Sequence, residues 1–232
     1  YWIERFKTEY FDGRLNKGID LDKINQTWRL EYMSAFKLLT LEDNLDPNAL
    51  AKIIKDLGHT RTRRKLALAF GRLCDCAGLE HDLRSLVGAY SPKRVEPRKI
   101  PDDTLIATIY NQIVNPSWRY VYALMATYGL RNHEVFLADL SDYPVLFVGR
   151  GKSNIERYVY PLYPEWSEWC KDFVLPNCNG NNRTLGERVT RQFSRYKIPF
   201  SPYNLRHAWA RRSMQFGWDL TLAAKQMGHS VK

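Results

Sequence analysis

Through the first ninety residues, apolar side chains recur every three or four positions, which is the spacing of one helix face. Ile24, Trp28, Tyr32, Phe36 and Leu39 share such a face, and Asp46-Pro47 opens a second helix carrying Leu50, Ile53, Ile54 and Leu57. A third helix starts within the stretch TRTRRK (60–65), places Leu66, Phe70 and Leu73 on one side and ends near Gly78. The pattern then changes. Residues 91–101, SPKRVEPRKIP, hold three prolines and no periodicity, so they read as an extended connection.

Beyond it the periodicities mix. Asp102-Asp103 begins one helix, and Asn115-Pro116 begins another that runs to Gly129. VLFV (145–148) and RYVYP (157–161) are strand-like and flank GRGKSNIE, which predicts a hairpin. Thr184-x-x-Glu187 has the form of a capping box ahead of Leu185, Val189, Phe193 and Tyr196. Ser201-Pro202 caps the next helix, which ends near Gly217, and a last helix runs from about Asp219 to Gly228. The expected architecture is mainly α with a small β-sheet or hairpin. It divides into a helical domain (1–92), a basic linker (93–101) and an α+β domain (102–232).

Composition narrows the class. Hydrophobic residues make up 44% of 232, enough for a packed core in each part. The net charge is +10, of which residues 98–232 contribute +7. A basic excess with 13% aromatics favours a polyanionic partner, nucleic acid foremost. No run of eighteen apolar residues exists, so no membrane span is expected, and a first residue other than Met suggests a start further upstream. Cys74 and Cys76 sit two apart in a helix, where side chains diverge by roughly 200° and cannot share a tetrahedral metal. With Cys170 and Cys178 they read as reduced thiols, and neither metal nor cofactor is expected.

Several polar groups then ask for a role. Arg61, Arg63, Arg64 and Lys65 crowd a helix start, where cations oppose the helix dipole. They read either as a solvated loop or as an edge that contacts phosphates. Lys93, Arg94, Arg98 and Lys99 line the linker and could follow a nucleic-acid backbone. Arg131 follows the Gly129-Leu130 helix exit, with Glu134 three residues on. Lys152 lies at the hairpin tip, with Arg150 as its competitor. Arg206 follows Tyr203 by one helical turn, beside His207, and His229 follows the glycine that ends the last helix. Taken singly, each has an ordinary structural reading.

In order, they do not. GLRNHE (129–134), the lysine hairpin, PYNLRH (202–207) and MGH (227–229) resemble the tyrosine recombinase (phage integrase) family. The family's pattern is Gly-Leu-Arg-x-x-Glu, a hairpin lysine, His-x-x-Arg-His and Leu-Gly-His, followed by a nucleophilic tyrosine. The resemblance covers roughly residues 100–232, and the helical first part fits only by layout. It implies cofactor-free DNA strand exchange through a 3′-phosphotyrosyl link. It further implies a double-stranded DNA partner, two domains closing on the duplex and four protomers in the active assembly. A cytoplasmic, DNA-associated location follows from the same resemblance. Arg131 and Arg206 would clamp the nonbridging oxygens, and His229 would hydrogen-bond one of them. Lys152 would protonate the leaving 5′-oxygen. Tyr203 stands where the family usually has histidine, and a phenol near pKa 10 is a poor base, so it would orient the phosphate. The nucleophile's place falls beyond Lys232. Rival readings are a non-catalytic DNA-binding protein built on the same plan, a type IB topoisomerase, and a helical RNA-binding protein.

Overall fold

The computed structural model describes residues 1–39, 44–91, 99–149, 156–171 and 174–229. The chain forms two compact units, Tyr1–Glu96 and Pro97–Lys232. Among the described residues no helix is long and apolar enough to cross a membrane.

The first unit is helical. Helix α1 spans Trp2–Leu15; α2, Leu21–Thr27, runs through a π-turn at Trp28–Met33 into α3, Ser34–Phe36. The side chain of Asp46 accepts the N–H groups of Asn48 and Ala49 and so caps α4, Pro47–Lys55. Helix α5, Arg61–Ala77, ends at Gly78 in a left-handed conformation. Its inner face, Leu66, Phe70 and Leu73, closes on the aromatic set Phe6, Trp28, Tyr32 and Phe36. Phe6 meets Tyr32 edge-on at 5.2 Å, an arrangement that suits the ring quadrupoles.

The second unit is built around α7, Pro116–Tyr128, whose residues from Val121 to Tyr128 are all buried. Helices α6 (Asp103–Gln112), α8 (Pro164–Ser167) and α10 (Pro202–Gln215) pack on it. Helix α9 (Asn182–Arg195) packs on α10, and α11 (Leu220–Gln226) packs on the sheet. That sheet is antiparallel and three-stranded: β1 (Ala138–Asp139), β2 (Leu146–Val148) and β3 (Arg157–Val159), in that order. Val148 pairs with Ala138 on one side and Arg157 on the other. The expected strands thus pair as a hairpin. Strand β1 escaped the sequence because two residues carry no readable alternation.

One local expectation is corrected. Helix α9 is capped by Asn181, which accepts the N–H groups of Arg183 and Thr184, so Thr184 lies inside the helix. Glu187, freed from a capping role, pairs with Arg183 at 2.8 Å. Ser201 does hold the first position before α10, but its hydroxyl hydrogen-bonds Asn204 Oδ1 rather than a backbone N–H.

The chain entering this unit is strapped along α10. Asn204 donates to Lys99 O at 3.1 Å and Arg211 to Pro101 O at 3.0 Å. Arg212, 1% exposed, donates to Asp103 Oδ1 at 2.8 Å and to Ala126 O at 2.6 Å, with its guanidinium 4.6 Å from the Trp166 ring. Tyr163 completes the group by donating to the other Asp103 oxygen. Removing the acid leaves a buried cation short of a charged partner. We expect Asp103→Ala to destabilise this unit by about 2–3 kcal/mol, read as a lower urea midpoint, with a smaller loss for Asp103→Asn.

Candidate active site

Glu134 is the centre of the site and is fully buried. Its carboxylate accepts the Arg131 guanidinium at 2.5 Å on one oxygen, and Arg157 at 2.8 Å together with the Arg131 N–H at 2.8 Å on the other. Arg206 stands 3.7 Å away. Burial alone would raise this carboxyl. The hydrogen bond and charge of Arg157, then the N–H and charge of Arg131, outweigh it and hold the pKa at about 2.

Arg131 reaches this position because α7 stops at Gly129. That residue has φ +62, and a Cβ there would lie 2.7 Å from the Trp209 ring, so only glycine permits the helix exit to lie against α10. Arg206 projects from α10 into the same place. It donates through Nη1 to Gly129 O at 2.7 Å and through Nη2 to Met227 O. The carbonyls at the ends of α7 and α11 therefore fix the second arginine. Burial and the nearby Arg131 lower its pKa without discharging it at neutrality.

His229 arrives from the other side. Gly228, at φ +62, turns the chain after α11, and a Cβ there would come within 3.1 Å of Arg157 Nη1. The turn sets His229 Nε2 at 3.2 Å from Arg206 Nη2. An arginine can only donate, so Nε2 accepts and the imidazole proton sits on Nδ1. Partial burial, then Arg206, Arg131 and Arg157, lower the His229 pKa, which favours this neutral form.

The site therefore joins Arg131, Arg206 and His229 from three separate chain segments. Tyr203 lies on the outer side of α10, 38% exposed, with its ring edge-on to His207 at 4.9 Å. Lys152 and its competitor Arg150 lie outside the described residues, as do Lys93, Arg94 and Arg98; Lys99 is exposed. Of the basic run on α5, Arg61 and Arg64 are exposed. The other two are half-buried and bonded within the unit. Arg63 donates to Leu86 O at 2.8 Å and Leu57 O at 3.2 Å, and Lys65 binds Leu30 O and Ser34 Oγ. These contacts give Arg63 and Lys65 structural work, since each side chain donates to main-chain carbonyls elsewhere in its own unit.

Arg157 is the residue whose place the sequence undervalued. In the sequence it is only the first residue of the strand-like run RYVYP, yet it is buried, holds Glu134 and donates to Gln226 O at 2.6 Å. Its signal was available: in RYV the first and third positions face inward, so the arginine had to find an acid inside.

A carboxylate with a depressed pKa contributes stability that is complete above its unfolded value of about 4.5 and is lost as the pH falls toward about 2. Glu134→Gln should lose about 3 kcal/mol at neutral pH, since buried guanidiniums lose their counter-charge. The same variant should show a shallower stability decline between pH 4.5 and 2 than the parent, measured by urea unfolding across that range.

Residues 1–87 match the family model of the XisA/XisC excisase second domain. Excisase A of Nostoc sp. (strain PCC 7120 / SAG 25.82 / UTEX 2576) is 26% identical over 277 aligned positions, covering 99% of this chain and 56% of that protein. Excisase C of the same organism is 31% identical over 137 positions, covering 49% of this chain and 27% of that protein. The chain thus spans little more than half the length of the first relative, and less of the second. Among solved structures, a lambda integrase tetramer bound to a Holliday junction superposes with a TM-score of 0.64 at 19% identity, covering 100% of this chain and 74% of that one. A lambda integrase dimer bound to a COC′ core site gives 0.59 at 17% identity, covering 100% and 91%. At such identity the likeness speaks for the fold. The chain is thus similar to two excisases, carries an excisase second-domain match over its first 87 residues, and has the fold of the lambda integrase structures.

Proposed function

We propose that this chain grips double-stranded DNA and activates a scissile phosphate in site-specific recombination. The observation that carries this is the meeting of Arg131, Arg206 and His229 at one point around Glu134. Two guanidiniums held by a buried carboxylate and by main-chain carbonyls are pre-organised donors. They need little rearrangement as charge builds on the phosphate oxygens. Arg131 and Arg206 clamp the nonbridging oxygens, and His229 turns its donor to one of them. Tyr203 orients the phosphate from the outer side of α10.

The reaction needs no cofactor. A tyrosine oxygen attacks phosphorus, the bond to the 5′-oxygen breaks, and Lys152 supplies that oxygen with its proton. The products are a 3′-phosphotyrosyl link and a free 5′-hydroxyl, and attack by another strand's hydroxyl reverses the step. The nucleophile's place falls beyond Lys232, and a homotetramer on DNA is the working assembly, as in the lambda integrase tetramer bound to a Holliday junction. Lys93, Arg94, Arg98 and Lys99, with Arg61 and Arg64, supply further phosphate contacts. The surrounding compartment is the cytoplasm, on DNA.

A second reading, a DNA-binding protein that does not cut, is favoured by one feature. Tyr203 stands where the family usually has histidine, and a phenol is a poorer general base than an imidazole. A suicide DNA substrate offered to the protein at the full length of its relatives separates the two, with covalent adduct as the readout. Adduct from the parent supports the enzyme. Arg206→Ala, and Arg206→Lys as the variant that keeps the charge, should reduce adduct formation about 100-fold or more while duplex binding persists. Undiminished cleavage in both variants would exclude this site. For the acid, a substrate with a 5′-bridging sulfur should restore cleavage by Lys152→Ala but leave Arg131→Ala inactive; sulfur leaves without a proton, so absence of rescue moves the acid role elsewhere.

A further inference from the structure

Helix α11 delivers His229 to the site, yet by itself it has little to hold it there. Its seven residues, Leu220–Gln226, make about two turns, too few for a helix to persist on its own. Asp219 caps its start by accepting the Leu222 N–H at 3.0 Å. Of its side chains only Ala223 and Gln226 are buried, while Leu220 and Leu222 stay exposed. A single methyl group contributes little apolar burial. The other inward side chain is polar, and a buried amide is costly unless it is hydrogen-bonded.

Gln226 finds its partner at the end of β3. Its Oε1 accepts the Tyr160 N–H at 3.0 Å, the first N–H after the strand closes at Val159. Its main-chain oxygen accepts Arg157 Nε at 2.6 Å. Two contacts to separate points of one chain segment restrict both the place and the rotation of the helix end. The next carbonyl, Met227 O, accepts Arg206 Nη2.

The helix end passes this constraint to the histidine. The Gly228 N–H bonds Lys225 O at 2.9 Å and the His229 N–H bonds Ala224 O at 2.9 Å, the paired closure of a Schellman motif. The main chain at His229 is therefore tied to the last turn of α11. Its Nε2 stands 3.2 Å from Arg206 Nη2, so a small displacement of the helix end takes the pair out of hydrogen-bond range.

We propose that Gln226 is a positioning residue for His229: by binding the Tyr160 N–H it docks the end of α11 on β3 and so sets the imidazole against Arg206. This rests on the reading of the site as one that activates a phosphate, where a group misplaced by about 1 Å loses much of its effect. Gln226 acts through the histidine.

The test compares Gln226→Met, which removes the acceptor at nearly constant length, with Gln226→Glu, which keeps an oxygen in that place. Leu222→Ala, at an exposed position of the same helix, is the control. In the 232-residue chain, imidazole nitrogen shifts measured by NMR report the tautomer and titration of His229. Burial, Arg206, Arg131 and Arg157 lower its pKa, and Glu134 opposes them. Gln226→Met should mix the two neutral tautomers and move the pKa up toward the ordinary value of 6.5. Gln226→Glu and Leu222→Ala should keep the parent tautomer, with the proton on Nδ1. A glutamine that only stabilised the fold would lower the melting temperature of Gln226→Met and leave the imidazole unchanged. In the protein at the full length of its relatives, with saturating suicide substrate, Gln226→Met should slow adduct formation about 10- to 100-fold. Duplex affinity should not change, and Gln226→Glu should restore most of the rate. Parent-like imidazole signals in Gln226→Met, loss of the parent tautomer in folded Gln226→Glu, or an equal change in Leu222→Ala overturns the proposal. No adduct from the parent overturns the phosphate reading alone, because the imidazole measurement decides the hold of Gln226 on His229 without it.

Discussion

The buried carboxylate of Glu134 is the constraint on which the second unit's chemistry depends. Two guanidiniums touch it and a third stands at its edge, so like charges that would repel share one counter-charge. In a low-dielectric interior this arrangement is stable only if the remaining donors find acceptors. They do, in carbonyls left open where helices end: Gly129 O after α7, and Gln226 O and Met227 O at the end of α11. Helix ends thus supply negative partial charge to a cluster of cations. The two glycine exits at 129 and 228 are the backbone condition for those ends to approach so closely.

Helix α10 carries this logic in two directions. Its Arg206 faces the site, and its Arg212, six residues later, holds Ala126 O near the end of α7 and Asp103 at the start of α6. The same helix binds the incoming chain at Lys99 and Pro101. The segment that enters the unit, the helix exit that presents Arg131 and the second arginine are therefore positioned by one rigid element. A site whose second arginine sits on one helix and whose other donors follow directly on the ends of two more keeps those donors in a narrow geometry.

Much of the fold was legible because it depends on local rules. Asp46, Asp102 and Asn115 mark helix starts, Gly78 and Gly129 mark ends, and the β-branched and aromatic runs VLFV and RYVYP give the hairpin strands. Thr184 misled because a capping-box pattern also fits a residue inside a helix, and the competing Asn181 cap took the backbone donors first. Arg63 and Lys65 were open as phosphate contacts in the sequence. Nothing in a linear run of cations tells which will find a carbonyl across the fold. Arg157 was undervalued for the same reason, since its acid lies 23 positions away in the chain.

The sequence by itself determined the types of residue that could hold a phosphate and their order along the chain. It also determined helix boundaries such as those at Asp46, Gly78, Asn115 and Gly129, because caps, glycine exits and apolar spacing act within a few residues. Which cations converge was decided only by the tertiary structure. A guanidinium's role depends on the acceptors and charges within a few ångströms of it, and here those come from segments as far apart as residues 129, 157, 206 and 227. The tautomer of His229 belongs to the same class: it is set by an arginine that can only donate, and no feature of Met-Gly-His encodes it.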